Sequence, residues 1–529
     1  MGKVLVTDDL DRCALELLGQ SLDVEACPGL SHDQLLRAVS EADALIVRSS
    51  TQVTREVIAA GHQLKVIGRA GAGIDNIDVE AATLRGIWVV NAPDANSTAV
   101  AEHVFALMLA LARRVPWAWQ SLARGEWHRG RFRGEELAGK RLGIIGLGRT
   151  GSGVAERGRA FRMEVRAHDP FVAPDHARSL GVELVSLRQL LAESDFITLH
   201  VPALPTTEGL LGEAELRLCQ PTAYVINCSR GAVVDETALL RALDEGRLAG
   251  AGLDVFSREP PGDSPLVRHP KVIATPHIAG MTREAQANVA LAVAEQVMAV
   301  LEGRRPSHPV NAPSLSPEQQ ARIGPYLDLA RRLGQLYAAI ADQPTASVQV
   351  ECRGQAVDME TSMLSAAALE GMLTGASETP VNLINARHLA HRRGIAVTET
   401  TATQSSPYSS LVTLAVEAGG RVYRLAGTIM HGQPYVVRIQ DFPISFIPAG
   451  SLLYTEHIEQ PGILGGMGTL LGELGVNISF VQVGRQSRGG PGVMILGIDD
   501  TIDQGALQAV HDLPSVLRAR LVELPPVET

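Results

Sequence analysis

The apolar positions of the chain fall into short recurring runs rather than long ones. KVLVTD (3–8), LDVEA (22–26), ALIVRSS (44–50), KVIGRAG (65–71) and IWVVN (87–91) are strand-like. Most of them end in polar or glycine residues, the pattern of parallel strands buried on both faces. Helix-like stretches lie between them at 11–18 and 31–39, the second opening with Ser31 and Gln34 in capping-box spacing. The alternation resumes with RLGII (141–145), MEVRAHD (163–169), DFITLHVP (195–202), AYVINCSRG (223–231), GAGLDVF (250–256) and VIATPHIAG (272–280). The fold class this predicts is α/β, with two doubly wound parallel-sheet (Rossmann-like) lobes. A long helix is expected over 97–114, and an amphipathic helix over 282–302 should cross back to the first lobe.

Pro306, Pro309 and Pro313 then mark a boundary. Beyond them the pattern changes to a helix (318–341), the strand SVQVEC, helices around 359–373 and 382–393, and the strands SLVTLAVEA, RVYRLAGTIM and YVVRIQDF. A last unit reads SLLYTEHI, a Pro461-Gly462 turn, a helix over 463–474, the strands NISFVQVGR and VMILGID, a helix and a further short strand. That order predicts a small α+β sandwich. The expected domains are 1–95 with 286–312, 96–285, 316–449 and 451–529.

Composition narrows the class. A chain of 529 residues holds roughly three to four domains. A net charge of −11 without any basic block argues against nucleic acid and against an anionic membrane surface. The longest apolar run, VFALMLALA at 104–112, is far short of the roughly 20 residues that span a bilayer. Five cysteines without paired or metal-like spacing, and a start MGKVLVTDDL without a signal-peptide pattern, lead us to expect a reducing cytoplasm and no metal site. Only four of the 47 basic residues are Lys, so a lone Arg says little here.

One stretch carries specific chemistry. In 140–170, KRLGIIGLGRTGSGVAERGRAFRMEVRAHDP, the residues Gly146, Gly148 and Gly151 fit the dinucleotide turn. The first allows the tight bend, the second a close approach of backbone to pyrophosphate, and the third helix–strand packing. With 51 glycines in the chain this spacing arises by chance about half a time, so the flanking strand, the helix and Asp169 eighteen residues on carry the reading. Asp169 can accept hydrogen bonds from an adenosine ribose and would repel a 2′-phosphate, and no basic residue follows it. NAD is expected rather than NADP.

The other strand ends gather reactive residue types. Arg48-Ser49, Arg69 with Gly71 and Gly73, and Asn91 followed by Asn96 close the first lobe, where ligands of open parallel sheets sit. Arg48 and Arg69 can offer forked donors to an anionic substrate. In the second lobe Arg230, Glu259 and His277 stand on three loops. Each alone has an ordinary structural explanation, as a helix-end cation, a surface acid or a core histidine. Trp117, Trp119 and Trp127 cluster after the long helix, where they suit either a subunit contact or internal packing.

VRSSTQVT, GRAGAGIDNID, GKRLGIIGLGRTG, INCSRGAVVDE, GLDVFSREPP and TPHIAGMTREAQ together resemble the D-2-hydroxyacid dehydrogenase family, in its long phosphoglycerate-oxidising form. The resemblance implies that Arg230, Glu259 and His277 are the catalytic trio. It implies NAD contacts at Ala72, Gly146, Gly148, Arg149, Thr150, Gly151, Asp169, Val201, Cys228, Ser229, Asp254 and Gly280, and a substrate side formed by Arg48, Ser49, Arg69, Gly71 and Asn96. It also implies an intervening regulatory domain over 316–449, supported by VNLINARHLAHRRGI and GTIMHGQPYVVRI, and an ACT-type (ferredoxin-like) effector domain over 451–529. Further implications are 3-phosphoglycerate as substrate, serine as effector near His457 and Asn477, a homotetramer or homodimer, and reduction of 2-oxoglutarate as a possible side activity. The sequence departs from the family pattern at Ala72, Val201, 278–281 and His457, the last standing where Asn is frequent.

In such a site the hydroxyl proton needs a base and the carboxylate a cation. His277 is expected as the base, Glu259 as the carboxylate that holds its tautomer, and Arg230 as the bidentate fork. The alternative enzyme is a reductase of glyoxylate, hydroxypyruvate or another small 2-oxoacid. The alternative from another class is a NAD-sensing corepressor, which would need no C-terminal module.

Overall fold

The computed structural model describes residues 2–377, 380–403 and 407–527. The first sheet has five parallel strands, Lys3–Val6 (β1), Asp23–Ala26 (β2), Ala44–Val47 (β3), Val66–Arg69 (β4) and Trp88–Asn91 (β5), in the order β2-β1-β3-β4-β5. The second has seven: Arg141–Ile145 (β6), Glu164–His168 (β7), Glu183–Leu184 (β8), Phe196–Leu199 (β9), Tyr224–Asn227 (β10), Gly250–Leu253 (β11) and Val272–Ala274 (β12). Their order is β12-β11-β10-β9-β6-β7-β8, again all parallel. In both sheets the order reverses part-way, between β1 and β3 and between β6 and β9. Loops leaving those carboxyl ends splay apart and open a crevice.

The expected long helix stops early. Ser97–Ala112 (α1) ends just before Arg114, which adopts φ 54°, and a second helix, Val115–Ala123 (α2), begins after it. The segment that carries Trp117 and Trp119 is thus helical. Arg149–Ala160 (α3) follows the glycine turn. Arg283–Leu301 (α4) lays Val289, Ala290, Val293, Ala294 and Val297 against Val4, Ile46, Val66 and Val90 of the first sheet. A Cβ at Gly68 would lie 2.6 Å from Val293, so that glycine sets how closely the returning helix docks. The chain after α4 stays on this lobe, through the Val90–Pro309 bridge and the Val89 amide donating to Asn311.

The C-terminal half holds Pro317–Ile340 (α5), Thr361–Leu373 (α6) and two more sheets. Thr345–Gly354 (β13), Ala396–Ala402 (β14), Ser410–Ala418 (β15), Arg421–Met430 (β16), Gln433–Ile439 (β17) and Phe442–Phe446 (β18) form a mixed sheet, β14-β13-β15-β16-β17-β18. β14 is a strand the periodicity did not predict: AVTETTA is polar, and it pairs in parallel at an exposed edge. Gly450–Ile458 (β19), Ile478–Arg485 (β20), Pro491–Ile498 (β21) and Val516–Leu524 (β22) form an antiparallel sheet, β20-β21-β19-β22, with Ile463–Glu473 (α7) and Gln504–His511 (α8) on one face. This βαββαβ order is ferredoxin-like, and its last strand is nine residues rather than short. The other face of the sheet, with Leu452, Tyr454, Val493, Ile495, Val522 and Leu524, continues into the core under α5 and β13–β18.

Candidate active site

Because all twelve strands of the two lobes are parallel, their carboxyl ends present loops along common edges. Arg48 and Arg69 emerge from β3 and β4, Arg230 from β10, Asp254 from β11 and His277 from β12. Arg69 is largely enclosed. Burial first, then the neighbouring charges of Arg230 and Arg48, press its guanidinium toward the neutral form, and its Nε has no partner among the described residues. Three cations within mutual influence and a buried donor left unmet form a cradle for an anion. Two glycines make the crowding possible. A Cβ on Gly71 would fall 1.5 Å from the Arg69 Nη1, and one on Gly73 would fall 2.6 Å from the Arg230 Nη2. Arg48 donates to the Asp9 carbonyl at 3.1 Å and reaches the Met281 sulfur at 3.5 Å, across the crevice. Ser49 is exposed beside it.

The Arg230 loop is shaped by Asn227, whose side chain donates to the Arg230 carbonyl at 2.9 Å and accepts the Ser229 amide at 3.0 Å. Gly231 then passes so close to the next loop that a Cβ would sit 1.9 Å from the Phe256 carbonyl carbon. The Phe256 amide donates to Glu259 Oε1 at 3.1 Å, and Glu259 Oε2 lies 2.7 Å from His277 Nδ1. Through those contacts the arginine loop, the acid and the imidazole adjoin one another. His277 has φ 53°, an uncommon conformation for a residue with a side chain. Its amide is held by the Asp254 carbonyl at 2.9 Å, and the Asp254 carboxylate takes the amides of Ile278 and Ala279 at 2.9 and 2.8 Å. Burial opposes the charge on Asp254, yet hydrogen bonds from His103, Thr275, Ile278 and Ala279 prevail and keep its carboxyl below the usual range. Asp254 is 0% exposed, so its oxygens serve this loop and are closed to the crevice.

The dinucleotide turn has the predicted form. Gly146 takes φ 93°, Gly148 opens α3 with open space where a Cβ would stand, and a Cβ at Gly151 would strike the Gly146 oxygen at 2.1 Å. Asp169 accepts the Leu147 amide at 2.9 Å, which ties the ribose-side acid to the turn. Val201 packs against Gly146, Thr150 donates to Ser97, and Cys228 is buried. Ala72 lies near Asn91, whose side chain donates to its carbonyl, and Asn96 meets Gly280. These residues fit a NAD molecule with its pyrophosphate at the start of α3. Sequence reasoning missed Asp75 and Asp94. Asp75 faces Arg230 at 3.5 Å and Asp94 pairs with Arg149, so each acid from the first lobe meets a ligand-side arginine of the second. Neither has a motif signal beyond lying in GIDNID and PDAN.

His457 and Asn477 are not brought together within one chain. The register pairs His457 with Gly492 at one end of the antiparallel sheet, while Asn477 precedes Ile478, which pairs with Ile498 at the other end. His457 is also 1% exposed, and burial lowers its affinity for a proton.

The profile of the D-isomer specific 2-hydroxyacid dehydrogenase NAD binding domain matches residues 105–279, and that of the D-3-phosphoglycerate dehydrogenase intervening domain matches 322–440. D-3-phosphoglycerate dehydrogenase of Methanocaldococcus jannaschii is 41% identical over 525 residues, covering 99% of this chain and 100% of that one. The Bacillus subtilis protein of the same name is 37% identical over 529 residues, with 99% and 100% coverage. The chain belongs to the D-3-phosphoglycerate dehydrogenase family. Among solved structures, Aquifex aeolicus D-lactate dehydrogenase complexed with NAD and lactic acid superposes with a TM-score of 0.53 at 30% identity. It covers 59% of this chain and 100% of its own, so it matches the two-lobe half of this member of the D-3-phosphoglycerate dehydrogenase family. The protein is accordingly an NAD-dependent oxidoreductase of the 2-hydroxyacid class. No helix among the described residues is long and apolar enough to cross a membrane.

Proposed function

We propose that the protein oxidises D-3-phosphoglycerate to 3-phosphohydroxypyruvate with NAD, the entry step to serine, in the cytoplasm. The observation that carries this is the arginine cradle. Arg69 holds an unmet buried donor beside Arg48 and Arg230, on strand ends of the first lobe, whereas the glycine turn's own anion site belongs to the second. A substrate with a carboxylate and a phosphate matches that charge; lactate or glyoxylate would leave part of it uncompensated. Arg230 grips the carboxylate, and Arg48 and Arg69 bind the phosphate, aligning C2. His277 takes the hydroxyl proton at Nε2, since Nδ1 faces Glu259, which steadies the imidazolium. NAD, when bound, supplies the hydride acceptor. In reverse the same residues would reduce a 2-oxoacid such as 2-oxoglutarate.

The test is NADH formation with 3-phosphoglycerate, D-glycerate and D-lactate, for the parent and Arg69→Ala. We expect the phosphorylated substrate to lead, and Arg69→Ala to raise its KM by about a hundredfold with a smaller change for D-glycerate. Equal losses on both substrates would remove the phosphate role. Serine is the effector the C-terminal module suggests, and omission against addition of serine in the same assay decides it. A homodimer or homotetramer is supported by Trp119 and Trp127, 69% and 74% exposed beside exposed Val115 and Leu122. Trp119→Glu is expected to lower the mass measured by light scattering.

A further inference from the structure

We infer that His103, on α1, is a positioning residue for the reaction, acting through Thr275 and Asp254 on the loop that presents His277. The inference rests on the assignment of His277 as the base. The Thr275 hydroxyl donates to Asp254 Oδ1 at 2.5 Å, so its proton is committed, and its remaining lone pairs face His103 Nε2 at 3.0 Å. Nε2 is therefore the protonated ring nitrogen, and a line of donors runs from His103 to Thr275 to Asp254; Nε2 also lies 3.4 Å from Asp254 Oδ1. Asp254 in turn holds three consecutive amides, those of His277, Ile278 and Ala279. A left-handed φ at a residue with a side chain persists only where its surroundings over-determine it. Here the surroundings are the carbonyls of Asp254 and Thr275 on the His277 amide, the buried Asp254 carboxylate on the next two amides, and Glu259 on the ring; of these the carboxylate is the one that His103 and the Thr275 hydroxyl orient.

The far end of the line is rigid. His103 stands between Ala101 and Val104, both fully buried in the second lobe's core, and Leu107 of the same helix packs on Gly252 of β11, two residues before Asp254. The helix thus references the loop to the sheet that carries the cofactor turn. A shift of the imidazole by about 1 Å can cost about a hundredfold in turnover. No motif marks His103, which lies just before the apolar run of α1.

The experiment uses the full-length enzyme with 3-phosphoglycerate and NAD, comparing His103→Phe, His103→Gln, Thr275→Val and the Phe/Val double variant. Gln places an amide N–H near the Nε2 position, whereas Phe fills the space and donates nothing. We expect His103→Phe to lower kcat by about thirtyfold or more, with KM and NAD affinity within about threefold, and Gln to recover most of the loss. The double variant should be no slower than the slower single one, because both cut the same line. The inference is overturned if Phe leaves kcat within about threefold, if Gln is no better than Phe, or if the two losses multiply. Should His103→Phe fail to fold, Gln against the shorter Asn gives the same comparison. His277→Ala, assayed alongside, separates the two layers. Retained turnover there would sink the base assignment, whereas a dead His277→Ala with an unaffected His103→Phe sinks the positioning role alone.

Discussion

His277 carries most of the proposed chemistry on one conformation, a left-handed backbone with Nδ1 turned to Glu259. For His277→Ala we expect turnover to fall by about a thousandfold or more while NAD binding, followed by fluorescence titration, is kept. A variant with unchanged kcat would remove the base assignment. A second histidine gives a pH test. His200 is held neutral by burial, its pKa pushed down to about 4 from 6.5, with Thr198 at 3.0 Å. Above pH 6.5 both the folded and unfolded chains carry it neutral, so nothing is lost. As pH falls toward 4 only the unfolded chain takes up the proton, costing up to roughly 3 kcal/mol of stability. His200→Gln should therefore flatten the fall of Tm between pH 6.5 and 4.5, and parallel curves for parent and variant would rule the account out. At this scale the sequence was informative where a motif fixed the spacing, as for Arg230, Glu259 and His277. It was silent on Asp75, Asp94 and Thr275, whose partners come from distant strands and whose types are unremarkable alone.

Strands and helices were legible where burial imposes a period. All the parallel strands named from the sequence are present; the central ones are covered on both faces and must be apolar throughout. β14 was not, since an edge strand has no such requirement, and the break after α1 was hidden because Arg114 has no sequence mark for a left-handed turn. The crossing of α5 and α6 shows what composition conceals. A Cβ at Gly334 would lie 2.0 Å from the Ala368 oxygen, and one at Gly371 would lie 2.0 Å from the Arg331 oxygen, so the two backbones touch. Alanine at Gly334 would ordinarily favour a helix by about 1 kcal/mol, but here it must push the pair apart, and we expect a net loss of about 2 kcal/mol or more. Chemical denaturation reads this directly; a stabilised Gly334→Ala protein would contradict the close crossing.

Across the whole molecule, the C-terminal sheet is not a separate bead. Its Leu452, Tyr454, Val493 and Leu524 share a core with α5 and β13–β18, and buried Arg332 donates to the carbonyls of Pro448, Pro525 and Pro526. A fragment ending at 449 would bare that face, and we expect it to aggregate, whereas one ending at 313 should stay in solution and retain turnover; the soluble fraction and NADH formation check both.

The C-terminal half meets the rest of the chain on the first lobe. Asn382 donates to the Gly86 carbonyl at 2.7 Å, and Arg305, stacked 5.8 Å over Trp88, points a nitrogen at the Met363 sulfur 3.4 Å away. Any tug from that quarter arrives at the amino ends of the strands whose far ends carry Arg48 and Arg69, in the lobe that holds those arginines rather than in the one that holds the glycine turn. A molecule captured by the distal sheets is therefore expected to be felt as a changed appetite for substrate, with the dinucleotide's hold left as it was.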